Sequence, residues 1–86
     1  MIKVKRFHAN WCQPCKTLAP TIERVRGQFP QVSFVDIDVD TNPEEARVNH
    51  VRNIPLVLIE KDGQVIDRIQ GVNSELTYVE KIRQAV

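Results

Sequence analysis

Residues 2–7 alternate between apolar and polar side chains. Ile2 and Val4 share one face of the predicted strand, and Lys3 and Lys5 share the other. The same period of two returns in residues 32–39, where apolar side chains alternate with aspartates. Both segments are therefore predicted to be β-strands.

A third apolar segment, residues 55–59, is nearly continuous, which is typical of a strand with both faces covered. The Asp62-Gly63 pair predicts a tight turn into a fourth strand over residues 65–69. These two strands should pair as an antiparallel hairpin.

Three helices are predicted between and after these strands. The first covers residues 12–29, with a kink at Pro20. The second begins at Pro43 with Asn42 as its cap and ends near His50. The third follows a cap at Asn73 or Ser74. The apolar positions that support the first and third helices are Leu18, Ile22, Val25 and Phe29, then Leu76, Val79 and Ile82.

The predicted order of elements is β-α-β-α-β-β-α. The first βαβ unit should be right-handed, which makes its two strands parallel. The expected fold is an α/β domain over residues 1–86, with a four-stranded mixed sheet and helices on both faces. Its 86 residues leave no room for a second hydrophobic core.

Composition narrows the function. The chain is 42% hydrophobic and 27% charged with a net charge of +1, which gives no electrostatic case for binding nucleic acid or an anionic membrane. No apolar run approaches membrane-spanning length, and the N-terminus lacks the features of a signal peptide. We therefore expect a cytoplasmic monomer in a reducing compartment.

The only two cysteines are Cys12 and Cys15. A purely structural disulfide between them would close a very short loop and remove little entropy from the unfolded chain. A zinc site needs four ligands, and His8 and His50 lack the usual paired spacing, so no metal is expected. A redox-active dithiol is the favoured interpretation.

The local sequence fits redox chemistry. Cys12 lies where the first strand ends and the first helix begins, and free N–H groups there favour a thiolate. Cys12 is therefore the predicted nucleophile, and Cys15, one turn into the helix, is predicted to resolve the mixed disulfide. Pro14 suits an early helical position and limits flexibility between the two sulfurs.

These residues resemble a known family. NWCQPCK, with Ala-Pro farther along the helix, resembles the active site of thioredoxins. The resemblance extends over nearly the whole chain from Phe7 onward. Thioredoxins usually carry an additional N-terminal strand and helix, so we expect a shorter fold, similar in length to glutaredoxins and to small thioredoxin-like proteins of some viruses and archaea. The further matching segments are DVDTNPE at 38–44, Ile54-Pro55, KDGQ at 61–64 and Gly71.

The resemblance implies a protein-disulfide reductase with no bound cofactor, because the electrons reside on the two sulfurs. It implies a cis bond before Pro55, opposite the cysteines, and a substrate groove bordered by Ile54 and Gly71. It also implies disulfide-containing proteins as partners, ribonucleotide reductase among the candidates, and recharging by a thioredoxin-reductase-like flavoenzyme.

Several residues depart from the family pattern. Gln13 stands where glycine is usual, beside the attacking sulfur, and Leu56 follows the proline where threonine is common. His8 replaces an aromatic residue, commonly tryptophan. An imidazole changes charge near neutral pH, so His8 is interpreted either as a group that favours the thiolate or as a side chain that only fills the space.

The largest departure is an exchange of charges. The family buries an aspartate behind the cysteines, near a lysine on the neighbouring strand, whereas this chain has Arg6 and Asp36 at those positions. Their parity with apolar neighbours predicts that both point inward. We expect an ion pair beneath the dithiol, with Asp36 as a candidate proton acceptor or as a purely structural partner.

Other side chains complete the predicted site. Trp11 should cover the sulfur and offer partners a flat apolar surface. Asp38 and Asp40 are interpreted as solvated or capping groups. Two alternatives stay open: a glutaredoxin-like enzyme whose basic residues Lys5, Arg6 and Lys16 attract glutathione, and a thioredoxin-like docking module without activity.

Overall fold

The computed structural model describes residues 1–86 and contains four strands and three helices. The order of elements is the predicted one. In chain order they are β1 (Ile2–His8), α1 (Gln13–Gln28), β2 (Ser33–Asp38), α2 (Pro43–Val48), β3 (Leu56–Lys61), β4 (Gln64–Gln70) and α3 (Glu75–Ala85).

The strands form one mixed sheet in the order β2-β1-β3-β4. β1 and β2 are parallel, with Arg6 opposite Asp36 and His8 opposite Asp38. β3 is antiparallel to both β1 and β4. The central position of β1 brings its C-terminal end, and the loop that follows it, to the middle of the sheet edge.

Local sequence explains where elements begin and turn. Ser74 caps α3, because its hydroxyl accepts a hydrogen bond from the N–H of Thr77. Asp62 and Gly63 both have positive φ, 52° and 86°, as a tight two-residue hairpin turn requires. Asn42 stands at the cap position of α2 but makes no capping bond. Its amide donates instead to the carbonyl of Asp38 at 3.1 Å, so the prediction of its capping role is wrong.

The core has two main parts, one on each face of the sheet, and a third small cluster around the two cysteines. The larger part lies between the sheet and helices α1 and α3, and it contains Ile2 and Val4 of β1. The smaller part lies on the α2 side and contains Phe7 and Leu56. Residues 55–60 are buried, as expected for a strand covered on both faces.

The prediction that Leu76 lies on the buried face of α3 is wrong. Leu76 is 61% exposed, whereas Tyr78, Val79, Ile82 and Ala85 are buried. At 3.6 residues per turn, Leu76 lies roughly 130° from the centre of that stripe. The three-residue spacing between Leu76 and Val79 predicts that both are buried. Around the helix axis, however, the buried stripe extends from Val79 toward Tyr78, which is away from Leu76. None of the three helices has the length and apolar content needed to span a membrane.

Candidate active site

The junction of β1 and α1 holds the two cysteines. Cys12 is the N-cap of α1, and its Sγ accepts a hydrogen bond from the N–H of Cys15 at 3.2 Å. The two Sγ atoms form a disulfide, with the Cα atoms 5.3 Å apart. Each cysteine is 4% exposed. The sulfur of Cys12 therefore lies among the free N–H groups at the start of the helix, where negative charge is stabilised.

Trp11 projects from the surface beside the disulfide. It is 68% exposed, and its Nε1–H donates to Oδ2 of Asp40 at 2.8 Å. Asp40 is therefore neither a free nor a capping group, as the sequence suggested, but the group that fixes the orientation of the indole. No sequence signal pointed to this contact across 29 residues.

The Ile54–Pro55 segment lies opposite the cysteines. The peptide bond is cis, and Ile54 packs against the cluster of Ala9, Cys12 and Cys15. The N–H and C=O of Ile54 make no hydrogen bond within the chain. They are available to pair with an extended segment from another molecule.

Residues of β4 and α3 fix this groove from behind. The Pro55 carbonyl accepts from the N–H of Gly71 at 2.9 Å and from Nε2 of Gln70 at 3.1 Å. The Gly71 carbonyl accepts from the hydroxyl of Tyr78 at 3.1 Å. Burial raises the pKa of Tyr78 above its usual value. Gly71 itself has a φ of 81°, which glycine adopts without strain.

Arg68 holds the loop that leads into the groove. Its Nη1 and Nη2 donate to the carbonyls of Asn49 and His50 at 2.8 and 3.1 Å. No sequence pattern marks Arg68, Gln70 or Tyr78, because their partners are backbone carbonyls seven to 19 residues away along the chain.

A cavity of about 310 Å³ lies between Trp11 and Ile54. Its walls are mostly apolar, and Arg52 at its edge is exposed and forms no ion pair. The remaining lining residues are Val39, Ala46, Val51 and Asn53.

A second, smaller cavity of about 120 Å³ lies between β1 and α1, beside Cys15. Arg6, His8 and Asn10 line it from β1 and the loop that follows, and Lys16 lines it from α1. Ala9 and Ala19 complete its wall. No carboxylate lines this cavity.

The predicted Arg6–Asp36 ion pair is present, but the prediction that both residues are buried is wrong for Asp36, which lies on the edge strand β2 and is exposed. Nε of Arg6 donates to Oδ1 of Asp36 at 3.0 Å, with side-chain exposures of 12% and 37%. Nη2 of Arg26 lies 3.5 Å from Oδ2 of Asp36, so both carboxylate oxygens face a guanidinium. Arg26 also covers the ring of Phe34, 5.5 Å from its centroid.

The remaining predicted residues lie in different places. Gln13 and Pro14 are exposed at the start of α1, near the disulfide. Lys5 does not lie at the site. It points to the opposite face of the sheet, where its Nζ is 2.9 Å from Oε2 of Glu60. Lys5 therefore cannot attract a ligand to the cysteines. No group of three or more His, Cys, Asp and Glu side chains is arranged to hold a metal ion.

The comparisons with known proteins agree with this geometry. The family model described as Thioredoxin matches residues 2–84. Thioredoxin-2 of Pyricularia oryzae and thioredoxin-1 of Saccharomyces cerevisiae are each 40% identical over 67 residues, or 78% of this chain. The chain spans 39% and 65% of the length of these two relatives. The crystal structure of Fasciola hepatica thioredoxin superposes with a TM-score of 0.92 at 36% identity, and the match covers 99% of this chain and 81% of that one. The chain belongs to the thioredoxin family.

Proposed function

We propose that the protein is a thiol–disulfide oxidoreductase that reduces protein disulfides through Cys12 and Cys15. The observation that carries this proposal is the disulfide at the start of α1, with Sγ of Cys12 hydrogen-bonded to the N–H of Cys15 and with the cavity between Trp11 and Ile54 beside it. A structural disulfide would need no groove and would stabilise little across such a short loop.

The reaction has two exchange steps. The Cys12 thiolate attacks a partner disulfide, forms a mixed disulfide and releases one partner thiolate. The Cys15 thiolate then attacks Sγ of Cys12, which forms the Cys12–Cys15 bond and releases the second partner thiolate. Two electrons pass from the dithiol to the partner, and the released thiolates take up protons from solvent. No bound cofactor is needed for this exchange.

Arg6 is the proposed electrostatic support of the dithiol. It lines the cavity beside Cys15, and Asp36 fixes the direction of its guanidinium. A nearby positive charge favours the thiolate form. Lys16 lines the same cavity and acts in the same direction. Gln13 and Pro14, exposed between the cysteines, restrict the approach of partners.

Partners are proposed to dock as extended segments. The free N–H and C=O of Ile54 can form strand-like hydrogen bonds with such a segment, and Gly71 leaves room beside it. Trp11 offers an exposed ring whose orientation Asp40 fixes, so an apolar side chain of the partner can pack on it.

The proposed partners are disulfide-containing proteins, with ribonucleotide reductase as a candidate suggested by the family resemblance. A thioredoxin-reductase-like flavoenzyme is the proposed electron donor. We propose that residues 1–86 act as one domain, as a monomer, in the cytoplasm.

The glutathione-dependent alternative retains one observation in its favour. Arg6 and Lys16 line a cavity beside Cys15 and could receive a carboxylate of glutathione, although Lys5 is not available. The docking-module alternative would also use the unpaired backbone of Ile54, but it gives no role to the Cys12–Cys15 disulfide.

Insulin reduction distinguishes these possibilities. Electrons are supplied in parallel by NADPH with thioredoxin reductase and by NADPH with glutathione and glutathione reductase. We expect turnover with the first system only, and loss of turnover in Cys12→Ser. Turnover with the second system only would favour the glutaredoxin-like alternative. Activity with dithiothreitol but with neither enzyme system would mean that a different reductase supplies the electrons. No activity even with dithiothreitol would favour the docking-module alternative.

A further inference from the structure

The cavity beside Cys15 contains one group able to accept a proton. Its charged side chains, Arg6 and Lys16, are both cations and have no free lone pair at neutral pH. Of the side chains that line the cavity, only the imidazole of His8 has a nitrogen lone pair that can accept a proton from a thiol.

A proton acceptor matters for the second exchange step. Cys15 is almost completely buried, and a free thiol has a pKa of about 8.5, so at neutral pH most such thiols are protonated. Only the thiolate can attack Sγ of Cys12. Some group must therefore remove the proton from Cys15 as the mixed disulfide is resolved.

The nearby carboxylates are poorly placed for this role. Asp36 faces guanidinium groups at both oxygens, at 3.0 and 3.5 Å, and does not line the cavity. Asp38 is the register partner of His8 on β2, but its Oδ1 accepts the N–H of Asp40 at 2.8 Å, and it forms no ion pair with His8. The side chain of His8 has no hydrogen-bond partner within the chain, so its ring nitrogens are free.

We propose that His8 is the proton acceptor for Cys15 in the resolving step. The proton of the Cys15 thiol passes to an imidazole nitrogen of neutral His8, directly or through a water molecule. The Cys15 thiolate attacks Sγ of Cys12, the bond between Cys12 and the partner breaks, and the partner leaves as a thiolate that is protonated by solvent. The imidazolium then returns its proton to solvent. This proposal rests on the disulfide-exchange function proposed above.

Arg6 has a complementary part in this step. Its guanidinium lines the same cavity wall and stabilises the thiolate that His8 produces. Arg6 can stabilise the thiolate, but a guanidinium cannot also accept the proton of the thiol. With Arg6 beneath the dithiol, the acceptor must come from a neighbour, and His8 is two residues along the same strand face.

The two exchange steps can be separated with dithiobis(nitrobenzoate) in a stopped-flow instrument. The reduced protein releases one coloured thiolate when Cys12 attacks and a second when Cys15 resolves the mixed disulfide. For His8→Asn at pH 7 we expect an unchanged first phase and a second phase slower by about 100-fold, the scale of general-base catalysis.

Two readouts distinguish proton transfer from a structural effect. Above about pH 9.5, where a free thiol loses its proton without help, the second-phase rates of His8→Asn and the natural protein should converge. Added imidazole should accelerate the second phase of His8→Asn and not that of the natural protein. His8→Gln should behave as His8→Asn does, which guards against a folding defect in one variant.

The other histidine provides a matched control. His50 is exposed, lies outside both cavities and has a φ of 56°, which asparagine tolerates, so His50→Asn should leave both phases unchanged. Equal second phases in the natural protein and both His8 variants would overturn the proposal. A slow second phase in the His8 variants that persists at high pH would also overturn it. A slow second phase in Asp36→Asn that recovers at high pH or with added imidazole would instead identify Asp36 as the proton acceptor. Loss of the first phase in the natural protein would contradict the proposed function itself.

Discussion

Lys5 and Arg6 are neighbours on β1, and each forms an ion pair on a different face of the sheet. On the α2 side, Nζ of Lys5 lies 2.9 Å from Oε2 of Glu60, with side-chain exposures of 15% and 11%. On the α1 side, Arg6 pairs with Asp36 at 3.0 Å. The two pairs are similar in length and unlike in surroundings.

The different surroundings of the two ion pairs predict different roles for them. Lys5 and Glu60 lie on the face away from α1, and neither lines a cavity with a cysteine. Arg6 lies on the wall of the cavity that contains Cys15. We therefore expect the Lys5–Glu60 pair to affect stability alone, and the Arg6–Asp36 pair to affect the chemistry of the dithiol.

The largest expected effect concerns the Lys5–Glu60 pair. Lys5→Met leaves the carboxylate of Glu60 buried without its partner, so the free energy of unfolding should fall by about 3 kcal/mol. Urea unfolding measures this change. The rate of insulin reduction per folded molecule should stay the same.

A double variant tests whether the charge itself is required. In Lys5→Leu/Glu60→Leu no buried charge is left unpaired, because Glu45, which lies 3.9 Å from Nζ of Lys5, is partly exposed, and stability should return to within about 1 kcal/mol of the natural protein. A double variant as unstable as the single one would mean that packing, and not the unpaired carboxylate, causes the loss.

Arg6→Met should change redox chemistry more than stability. Asp36 is partly exposed and retains Arg26, so little stability should be lost. Without the guanidinium the thiolate form is less favoured, and the dithiol–disulfide equilibrium in a glutathione buffer should shift about tenfold toward the disulfide, which corresponds to ~30 mV.

Lys5→Met is the matched control for this shift. It removes one positive charge from the adjacent residue of the same strand, so it should leave the equilibrium unchanged at the same ionic strength. An equal shift in both variants would show that net charge, and not the position beneath Cys15, sets the potential.

The smallest expected effect comes from an exposed ion pair between α1 and α3. Glu75 accepts from Nε of Arg24 at 2.7 Å and from Gln28 at 2.9 Å, and the Arg24 hydrogen bond holds its pKa below the usual 4.5. Its contribution to stability is present above pH 4.5 and is lost as the pH falls through the lower folded-state pKa. Glu75→Gln should slightly reduce the acid-induced loss of stability, measured by urea unfolding at a series of pH values. An identical pH profile in both proteins would show that this exposed pair contributes nothing measurable.

Most of the fold could be predicted because each element carries a local signal. Alternation located β1 and β2, the Asp62-Gly63 pair located the hairpin, and Pro43 located the start of α2. The dithiol could also be predicted from local sequence, because the two cysteines, a proline and the end of a strand lie within a few residues of one another.

The features that could not be predicted depend on how distant elements pack. Alternation placed Lys5 on the face opposite Ile2 and Val4, and the predicted fold covers both faces of the sheet with helices. It could not reveal that Glu60 of the neighbouring strand β3 points to the same face and pairs with Lys5. The bonds from Gln70 and Tyr78 to the groove likewise end on backbone carbonyls, which no side-chain pattern marks. The Arg6–Asp36 pair was predictable because both residues share parity with buried neighbours and because the family resemblance paired their positions.

Trp11 gives the molecule an optical signal of its own. It is the only tryptophan in the chain, it lies next to the disulfide, and Asp40 limits its rotation. A disulfide quenches the fluorescence of an adjacent excited indole, and its reduction relieves the quenching. Emission at the tryptophan wavelength should therefore follow the state of this single pair of sulfurs in real time, without a label and without interference from any other indole in the chain.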